Sequence, residues 1–438
     1  MNPKKELDML NAPARPLLGC IADDFTGATD LANMLVRGGM RTVQSIGIPA
    51  AEVAGHLDAD AIVIALKSRT LPAADAVKES LEALRWLRER GCEQIFFKYC
   101  STFDSTAAGN IGPVSEALLE ALDSDFTLAC PAFPENGRTV FRGHLFVQDQ
   151  LLNESGMQHH PLTPMTDANL VRVLQSQSQG KVGLLRYDTL TQGVESIRAR
   201  MTQLCAEGVR LAVADAVSDA DLHLLGEACA GLALLTGGSG LALGLPDNFR
   251  RAGKLRDLDA AQVPTVEGSE VVLAGSASQA TNGQVASWLQ AGRPAFRIDP
   301  LALAAGEPVI EQALAFAGDH AETVLIYATS APEQVKAVQR ELGSERAGHL
   351  VEQAIGRIAS GLHQAGVRRF VVAGGETSGA VVQALDIQLL QIGGQIDPGV
   401  PACVSTPGEP MALALKSGNF GGPDFFAKAL QHLAGVQA

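Results

Sequence analysis

The chain has 438 residues, which is enough for two or three domains with sizeable cores. Its formal net charge is −14 and only 5% of its residues are aromatic, so a nucleic acid or an anionic membrane is disfavoured as a partner. None of the seven cysteines forms a Cys-x-x-Cys motif, and no apolar run is long enough to span a bilayer. We therefore expect a cytoplasmic globular protein without a disulfide framework.

Short apolar runs alternate with amphipathic stretches along most of the chain. In the first half, strands are predicted at 17–22, 42–48, 61–66, 94–99, 126–130, 182–185, 210–215 and 232–237. In the second half they are predicted at 270–275, 294–298, 323–328, 368–375, 387–394 and 411–418, with a long helix near 346–364. This alternation predicts an α/β fold in which a mostly parallel sheet is flanked by helices.

One charged segment interrupts the alternation. Residues 246–268 carry prolines near both ends, as is typical of an interdomain linker or a surface excursion. The sequence therefore predicts one domain at 17–245 and another at 269–438. Residues 1–16 mix charges and prolines without an apolar segment, and we expect them to form a flexible N-terminal extension.

The sharpest motif of the first domain is ADDFTGATD at residues 22–30. It places Asp23 and Asp24 directly after the first strand, at the edge where parallel sheets bind ligands. Thr26 and Gly27 then begin a helix and offer backbone N–H groups. A carboxylate in this place can accept a hydroxyl proton or bind a sugar diol, whereas the simpler interpretation is that Asp24 or Thr26 only caps the helix.

Polar side chains follow other strands of the same domain, and their convergence on one sheet edge predicts a site for an anionic, hydroxylated ligand. Residues 131–147 could close over such an anion or form a solvated hairpin, and the sequence leaves both readings open. The side chains predicted to bind the ligand are Lys67, Arg69, Lys98, Ser101, Asp104, Arg138 and Arg142.

Three turns rich in small residues follow strands of the second domain. Small residues let the backbone approach a phosphate, and a helix that begins there adds N–H donors. The residues predicted to bind a nucleotide are Ser276, Ser278, Gly374, Gly375, Glu376, Thr377, Ser417 and Gly418. No Walker A motif is present. Another glycine-rich turn, at 235–246, lacks the full dinucleotide fingerprint; we expect a packing turn, with a phosphate or substrate contact left open.

Taken together, ADDFTGATD, the late GGETSGAV turn and the closing SGNFG resemble the four-carbon acid sugar kinase family, from about Leu17 to the C-terminus. The resemblance implies an acid-sugar-binding N-terminal domain, an ATP-binding C-terminal domain and an active site in the interdomain cleft. It also implies ATP with Mg²⁺ as cofactors and transfer of a phosphoryl group to the terminal C4 hydroxyl, with Asp24 or Asp23 as the catalytic carboxylate. The opening segment is most similar to the branch that acts on 3-oxo-tetronate, and threonate or erythronate is the alternative substrate. The sequence identifies no metal ligands, and a homo-oligomer is compatible with it.

Other classes of protein share some of these features. A ribokinase-like enzyme also has a Gly-Ala-x-Asp turn, but in that fold the turn lies late in the chain, whereas here it spans 27–30. The Rossmann-like alternation and the 235–246 turn leave an NAD-dependent hydroxy-acid dehydrogenase as an alternative. A non-catalytic sugar-acid sensor would bind the same ligand without turning over ATP.

Overall fold

The computed structural model describes residues 15–50, 53, 57–160, 162–330 and 332–435. Most of the predicted N-terminal extension, residues 1–16, lies outside this range. The chain divides into two compact units, Met1–Ala260 and Ala261–Ala438. Within the described residues, no helix is both long enough and apolar enough to cross a membrane.

The first unit is built on a parallel sheet whose strands lie in the order β2-β3-β1-β4-β11-β5-β10-β9. Its strands are β1 (Leu18–Ala22), β2 (Thr42–Ile46), β3 (Ala61–Ala65), β4 (Gln94–Lys98), β5 (Thr127–Cys130), β6 (Arg138–Phe141), β7 (His144–Val147), β8 (Gln150–Leu151), β9 (Lys181–Leu185), β10 (Val209–Ala214) and β11 (Leu234–Gly237). Its helices are α1 (Phe25–Arg37), α2 (Ala73–Glu89), α3 (Ile111–Ala121), α4 (Leu170–Gln177), α5 (Tyr187–Leu190), α6 (Val194–Ala206), α7 (Asp219–Ala228) and α8 (Pro246–Arg251). β6, β7 and β8 form a separate antiparallel sheet.

The second unit has strands in the order β13-β14-β12-β15-β18-β17-β16. Its strands are β12 (Ser269–Ala274), β13 (Ala295–Arg297), β14 (Val324–Tyr327), β15 (Val367–Ala373), β16 (Leu389–Asp397), β17 (Val400–Thr406) and β18 (Ala412–Lys416). Its helices are α9 (Gln279–Gln290), α10 (Pro300–Ala304), α11 (Val309–Gly318), α12 (Pro332–Leu342), α13 (Ser344–Gln364), α14 (Gly375–Ala384) and α15 (Phe425–Leu433). Neighbouring strands in the series β13-β14-β12-β15-β18 pair in parallel. β17 pairs antiparallel with both of its neighbours, β18 and β16.

The prediction of an α/β fold with mostly parallel sheets is confirmed, because apolar runs such as those of β1, β3 and β4 are buried along their whole length. Every strand predicted from an apolar run is present with small shifts at its ends. The prediction missed β17, which continues from β16 through a tight turn, and it left open the β6–β7 hairpin. The first residues of the predicted linker form helix α8.

Candidate functional site

The carboxyl edge of the first sheet holds an ion pair that joins two neighbouring strands. Asp23 follows β1 and Arg69 follows β3, and these two strands pair in parallel. Arg69 Nε donates to Asp23 Oδ2 at 2.9 Å and Arg69 Nη2 donates to Asp23 Oδ1 at 2.8 Å. The Asp23 side chain is only 4% exposed, so this bidentate pair is largely shielded from water. It fixes the plane of the guanidinium at the edge of the sheet.

Asp24 lies beside this pair and is more accessible, since 26% of its side chain is exposed. Its Oδ1 accepts from Arg69 Nη2 at 2.5 Å and from the backbone N–H of Gly27 at 3.2 Å. Its Oδ2 accepts from the hydroxyl of Thr26 at 2.9 Å. Asp24 is therefore the N-cap of α1, as the simpler interpretation predicted. It is also held by a guanidinium, which capping does not require.

Lys98, the last residue of β4, brings a buried cation to the same edge. Its residue exposure is 3%, and its ammonium donates to the backbone carbonyl of Tyr99 at 2.7 Å. A Cβ atom placed on Gly27 would lie 2.9 Å from Lys98 Nζ and would also collide with Asp24 Oδ1. A side chain at position 27 would displace the Asp24 carboxylate or the Lys98 ammonium, because both approach the first turn of α1 so closely.

Asp104 completes this group of charges. It follows Phe103, and both residues have positive φ angles, 66° for Phe103 and 42° for Asp104. Asp104 Oδ1 accepts from the Thr102 hydroxyl at 2.7 Å, and its Oδ2 lies 3.9 Å from Arg69 Nη1. Left-handed backbone is uncommon for a bulky residue such as Phe103 and better tolerated by aspartate, so the strain of the turn after β4 lies at Phe103.

The two adjacent carboxylates differ in their proton affinity. Burial raises the pKa of Asp23 above its ordinary value, although the ion pair with Arg69 opposes the rise. Burial also acts to raise the pKa of Asp24, but Arg69, Lys98 and the hydrogen bonds of the cap outweigh it and lower the pKa. Asp24 is therefore the carboxylate that stays ionised and reachable, while Asp23 orients Arg69.

In the second unit, three turns meet at the carboxyl ends of the adjacent parallel strands β12, β15 and β18. A Cβ on Gly418 would collide with Ser276 Oγ, and a Cβ on Gly374 would lie 2.7 Å from Thr377 Oγ1. Gly374 has φ 128°, a conformation that is open to glycine and costly for other residues. The turns therefore form a cradle of backbone atoms and small side chains, from which α14 begins.

Next to this cradle lies a cavity of about 610 Å³, within the size range of small-molecule sites. The glycine turn and Ser276 line one side, while Leu301, Val338 and Val351 supply apolar surface. A nucleotide fits this donor set, because the apolar wall suits a base and the first turn of α14 suits phosphates.

A divalent cation would find few protein ligands here. Among the residues that the structure describes, no group of three or more His, Cys, Asp or Glu side chains could hold a metal ion. Mg²⁺ is usually held by phosphate oxygens and waters with one or two carboxylates. The carboxylates that line the cavity and could take this role are Asp299, Glu352 and Glu376.

Comparison with known proteins places the chain among carbohydrate kinases. The sugar-binding N-terminal domain family matches residues 18–245, and the nucleotide-binding C-terminal domain family matches residues 271–426. A 3-oxo-tetronate kinase of Pseudomonas fluorescens is 80% identical over 97% of this chain and 99% of its own length. One from Cupriavidus necator is 71% identical over 96% of this chain and 98% of its own. The chain belongs to the four-carbon acid sugar kinase family.

Solved structures of similar proteins agree with this family fold. A protein from Salmonella typhimurium LT2, which carries a provisional description as a tRNA synthase, has a TM-score of 0.87 and 45% identity, covering 95% of this chain and 99% of its own. A Haemophilus influenzae protein has a TM-score of 0.79 and 46% identity, covering 95% of this chain and all of its own.

Only some of the residues that were predicted to bind the acid sugar lie close together in the structure. The residues that share direct contacts or charge interactions are Asp23, Asp24, Thr26, Gly27, Arg69, Lys98 and Asp104. Lys67 follows β3 and is exposed, and Ser101 follows β4 and is partly exposed. Arg138 and Arg142 lie on the β6–β7 hairpin, and their side chains make no contact with Asp23, Asp24 or Arg69 within the described part of the chain.

Sequence reasoning missed a buried carboxyl group one turn along α1. Asp30 is 8% exposed, and its Oδ2 accepts from the hydroxyl of Ser239 at 2.5 Å. Its Oδ1 has no hydrogen-bond partner among the described residues. Ser239 belongs to the 235–246 turn, whose glycines at 237 and 238 pack against the backbone after β5. The expectation of a packing turn fits these contacts, and the link to Asp30 adds a second role for the turn.

We expect the stability of the protein to depend on pH through Asp30. Burial raises the pKa of Asp30 to about 6, although Lys98 and Ser239 oppose the rise. The folded state keeps the proton of Asp30 to higher pH than the unfolded state does. Protonation of Asp30 therefore adds most to the free energy of unfolding below about pH 4, and this contribution is lost between about pH 4 and pH 6.

We expect Asp30→Asn to remove this dependence, because asparagine cannot ionise. Relative to the wild type, the free energy of unfolding of the variant should rise by about 1 kcal/mol between pH 5 and pH 7.5. Urea denaturation of both proteins at the two pH values measures the change. An equal difference between the proteins at both pH values would show that Asp30 does not titrate in this range.

Proposed function

We propose that the protein is an ATP-dependent kinase that phosphorylates the C4 hydroxyl of 3-oxo-tetronate. The observation that carries the proposal is the 68–80% identity with relatives named 3-oxo-tetronate kinase over nearly the whole of both chains. A cytoplasmic location is part of the proposal. An active site in the cleft between the domains stays a prediction, as do the domain limits 17–245, 246–268 and 269–438.

The charges around Asp24 suit a hydroxylated acid. Asp24 is ionised, about a quarter exposed and held by Arg69, so it can accept a hydrogen bond from the hydroxyl that becomes phosphorylated. Phosphoryl transfer depends on alignment and charge stabilisation more than on a strong base. A carboxylate with a lowered pKa is adequate for this role, since it has to orient the hydroxyl and take its proton late.

Lys98 is the best candidate to bind the carboxylate of the substrate. Arg69 already uses three of its N–H contacts on Asp23 and Asp24. The ammonium of Lys98 has only the Tyr99 carbonyl as an acceptor among the described residues. An anion bound beside Gly27 would therefore complete the coordination of a buried cation.

The glycine cradle and its cavity are proposed to bind ATP. Bound ATP supplies the phosphoryl group, and its Mg²⁺ neutralises the charge that develops during transfer. The residues of this chain contribute backbone N–H donors at Gly375–Thr377, the hydroxyl of Ser276 and an apolar wall for the base. Gly374 and Ser278 shape the turns, because the Gly374 N–H donates to the Lys416 carbonyl and the Ser278 hydroxyl donates to the Gly418 carbonyl. Thr377 Oγ1 lies close to Gly374 and Gly275, so its hydroxyl faces the same turn.

A coupled assay of ATP consumption tests the proposal directly. The purified protein should turn over ATP with 3-oxo-tetronate far faster than with threonate or erythronate, and ³¹P NMR should place the phosphate on C4. Heat stabilisation by Mg-ATP and not by NAD is expected. Stabilisation by NAD alone would favour the dehydrogenase, and ligand binding without ATP turnover would favour the sensor.

Asp24→Asn should lower kcat by about 10²–10⁴-fold, because the amide cannot accept the hydroxyl proton. Asparagine is as good an N-cap as aspartate, so α1 should remain folded. Circular dichroism checks the fold, and steady-state kinetics measure kcat for the variant. Asp104→Asn is the matched comparison: if kcat falls there and not in Asp24→Asn, Asp104 is the catalytic carboxylate.

Lys98→Met should raise the KM for the sugar acid by about 30-fold or more while the KM for ATP changes little. The reason is that the substrate carboxylate loses its cation in a buried place. Arg142→Ala, on the exposed tip of the hairpin, is the control and should leave both KM values within about twofold. A selective rise in sugar-acid KM for Arg142→Ala would move the binding site to the hairpin.

A further inference from the structure

Lys416, the last residue of β18, is a wholly buried lysine just before the third small-residue turn. Its ammonium donates to Thr281 Oγ1, to the carbonyl of Ser417 and to the carbonyl of Gly418, each at 3.0 Å. All three of its protons are used, and none of the acceptors carries a charge. A buried lysine without a carboxylate partner is unusual, and the contacts indicate that it acts on the shape of the turn.

The carbonyl of Gly418 is where these contacts converge. Besides Lys416 Nζ, it accepts from Ser278 Oγ at 2.5 Å and from Thr281 Oγ1 at 2.9 Å. Ser278 and Thr281 belong to the beginning of α9, where Ser278 is the N-cap. Lys416 therefore ties the turn after β18 to the helix that follows β12, which are two walls of the proposed nucleotide cradle.

This arrangement sets the direction of two backbone amides. In a trans peptide the C=O and N–H bonds point in opposite directions. Because the carbonyls of Ser417 and Gly418 face Lys416, the N–H groups of Gly418 and Asn419 face away from it. In the described structure neither N–H has an acceptor. Two adjacent N–H groups with a shared direction form a concavity suited to an anion.

We infer that Lys416 is a positioning residue: it holds the Ser417–Gly418 turn so that the amides of Gly418 and Asn419 bind a nucleotide phosphate, and it takes up a proton from solvent when the nucleotide binds. The inference rests on the proposed function, since it takes an adenine nucleotide as the ligand of the cradle.

Proton uptake follows from the environment of Lys416. Burial alone lowers its pKa to about 7, so a large share of the protein is neutral at this position above that pH. The titratable groups on the elements that pack against β18 or contact Lys416 are Arg368, Arg369, Cys403, Glu376, Lys428 and His432. A neutral amine has only two N–H donors, so one of the three contacts that Lys416 makes with the turn and with Thr281 is lost. A phosphate anion nearby favours the ammonium form and the complete set of contacts.

Calorimetric titration with ADP at pH 8, in two buffers of different ionisation enthalpy, tests the inference. In the wild type the binding heat should depend on the buffer and report uptake of most of one proton. Lys416→Met should show no such uptake, and its Kd for ADP should rise about tenfold or more, while sugar-acid KM stays constant. Lys181→Met, on an exposed lysine of the first domain, is the control and should behave as the wild type.

Thr281→Val provides a second variant, in case Lys416→Met does not fold. It removes one acceptor of the ammonium and one donor to Gly418, so Kd for ADP should rise while proton uptake persists. If the wild type binds ADP without uptake, or folded Lys416→Met binds it as tightly as the wild type, the inference fails and the proposed function stands. If the wild type binds no adenine nucleotide, both fail.

Discussion

The contact between Asp23 and Arg69 is the constraint on which the proposed acid-sugar site depends. It joins the loops that follow β1 and β3, and it does so where water is largely excluded. Removing either partner would leave a charge buried without compensation, which is far costlier than losing a surface pair. With the guanidinium fixed in this way, Asp24 is held on one side and Asp104 is approached on the other. The site is therefore assembled from the ends of separate strands by one cation.

A buried lysine ends a central strand in each domain. Lys98 closes β4 and Lys416 closes β18, and each ammonium donates to the carbonyl of the residue that follows it. In the first domain the charge is shared with carboxylates, and in the second it has only neutral acceptors. The same contact, from a buried lysine to the next carbonyl, therefore lies beside the proposed substrate site in the first domain and in the proposed nucleotide-binding turn in the second.

The sequence was sufficient to predict the strands, the sheet edge and the motifs, because buried parallel strands appear as apolar runs and their polar ends are visible beside them. The sequence could not show which of the predicted cationic side chains already form ion pairs with carboxylates of the protein itself. Binding of the substrate by Arg69 stays a prediction, and nothing in the sequence indicated that Arg69 also donates to Asp23 and Asp24. The Asp30–Ser239 contact was also out of reach, since the two residues lie in motifs that are 209 positions apart and nothing in either motif indicates that they meet. Long-range pairs of this kind depend on strand order, which periodicity does not encode.

The position of β11 has a consequence for how the first domain forms. This strand, at residues 234–237, lies between β4 and β5, which end more than a hundred residues earlier in the chain. Before β11 has been synthesised, the earlier strands can form only two partial sheets, β2-β3-β1-β4 and β5-β10-β9, because the strand that joins them is missing. Closure of the sheet, and with it delivery of Ser239 to Asp30, must wait for the last part of the domain. Contacts of such long sequence separation slow folding, so the sheet edge that carries the proposed sugar-acid site is completed late in the synthesis of its own domain.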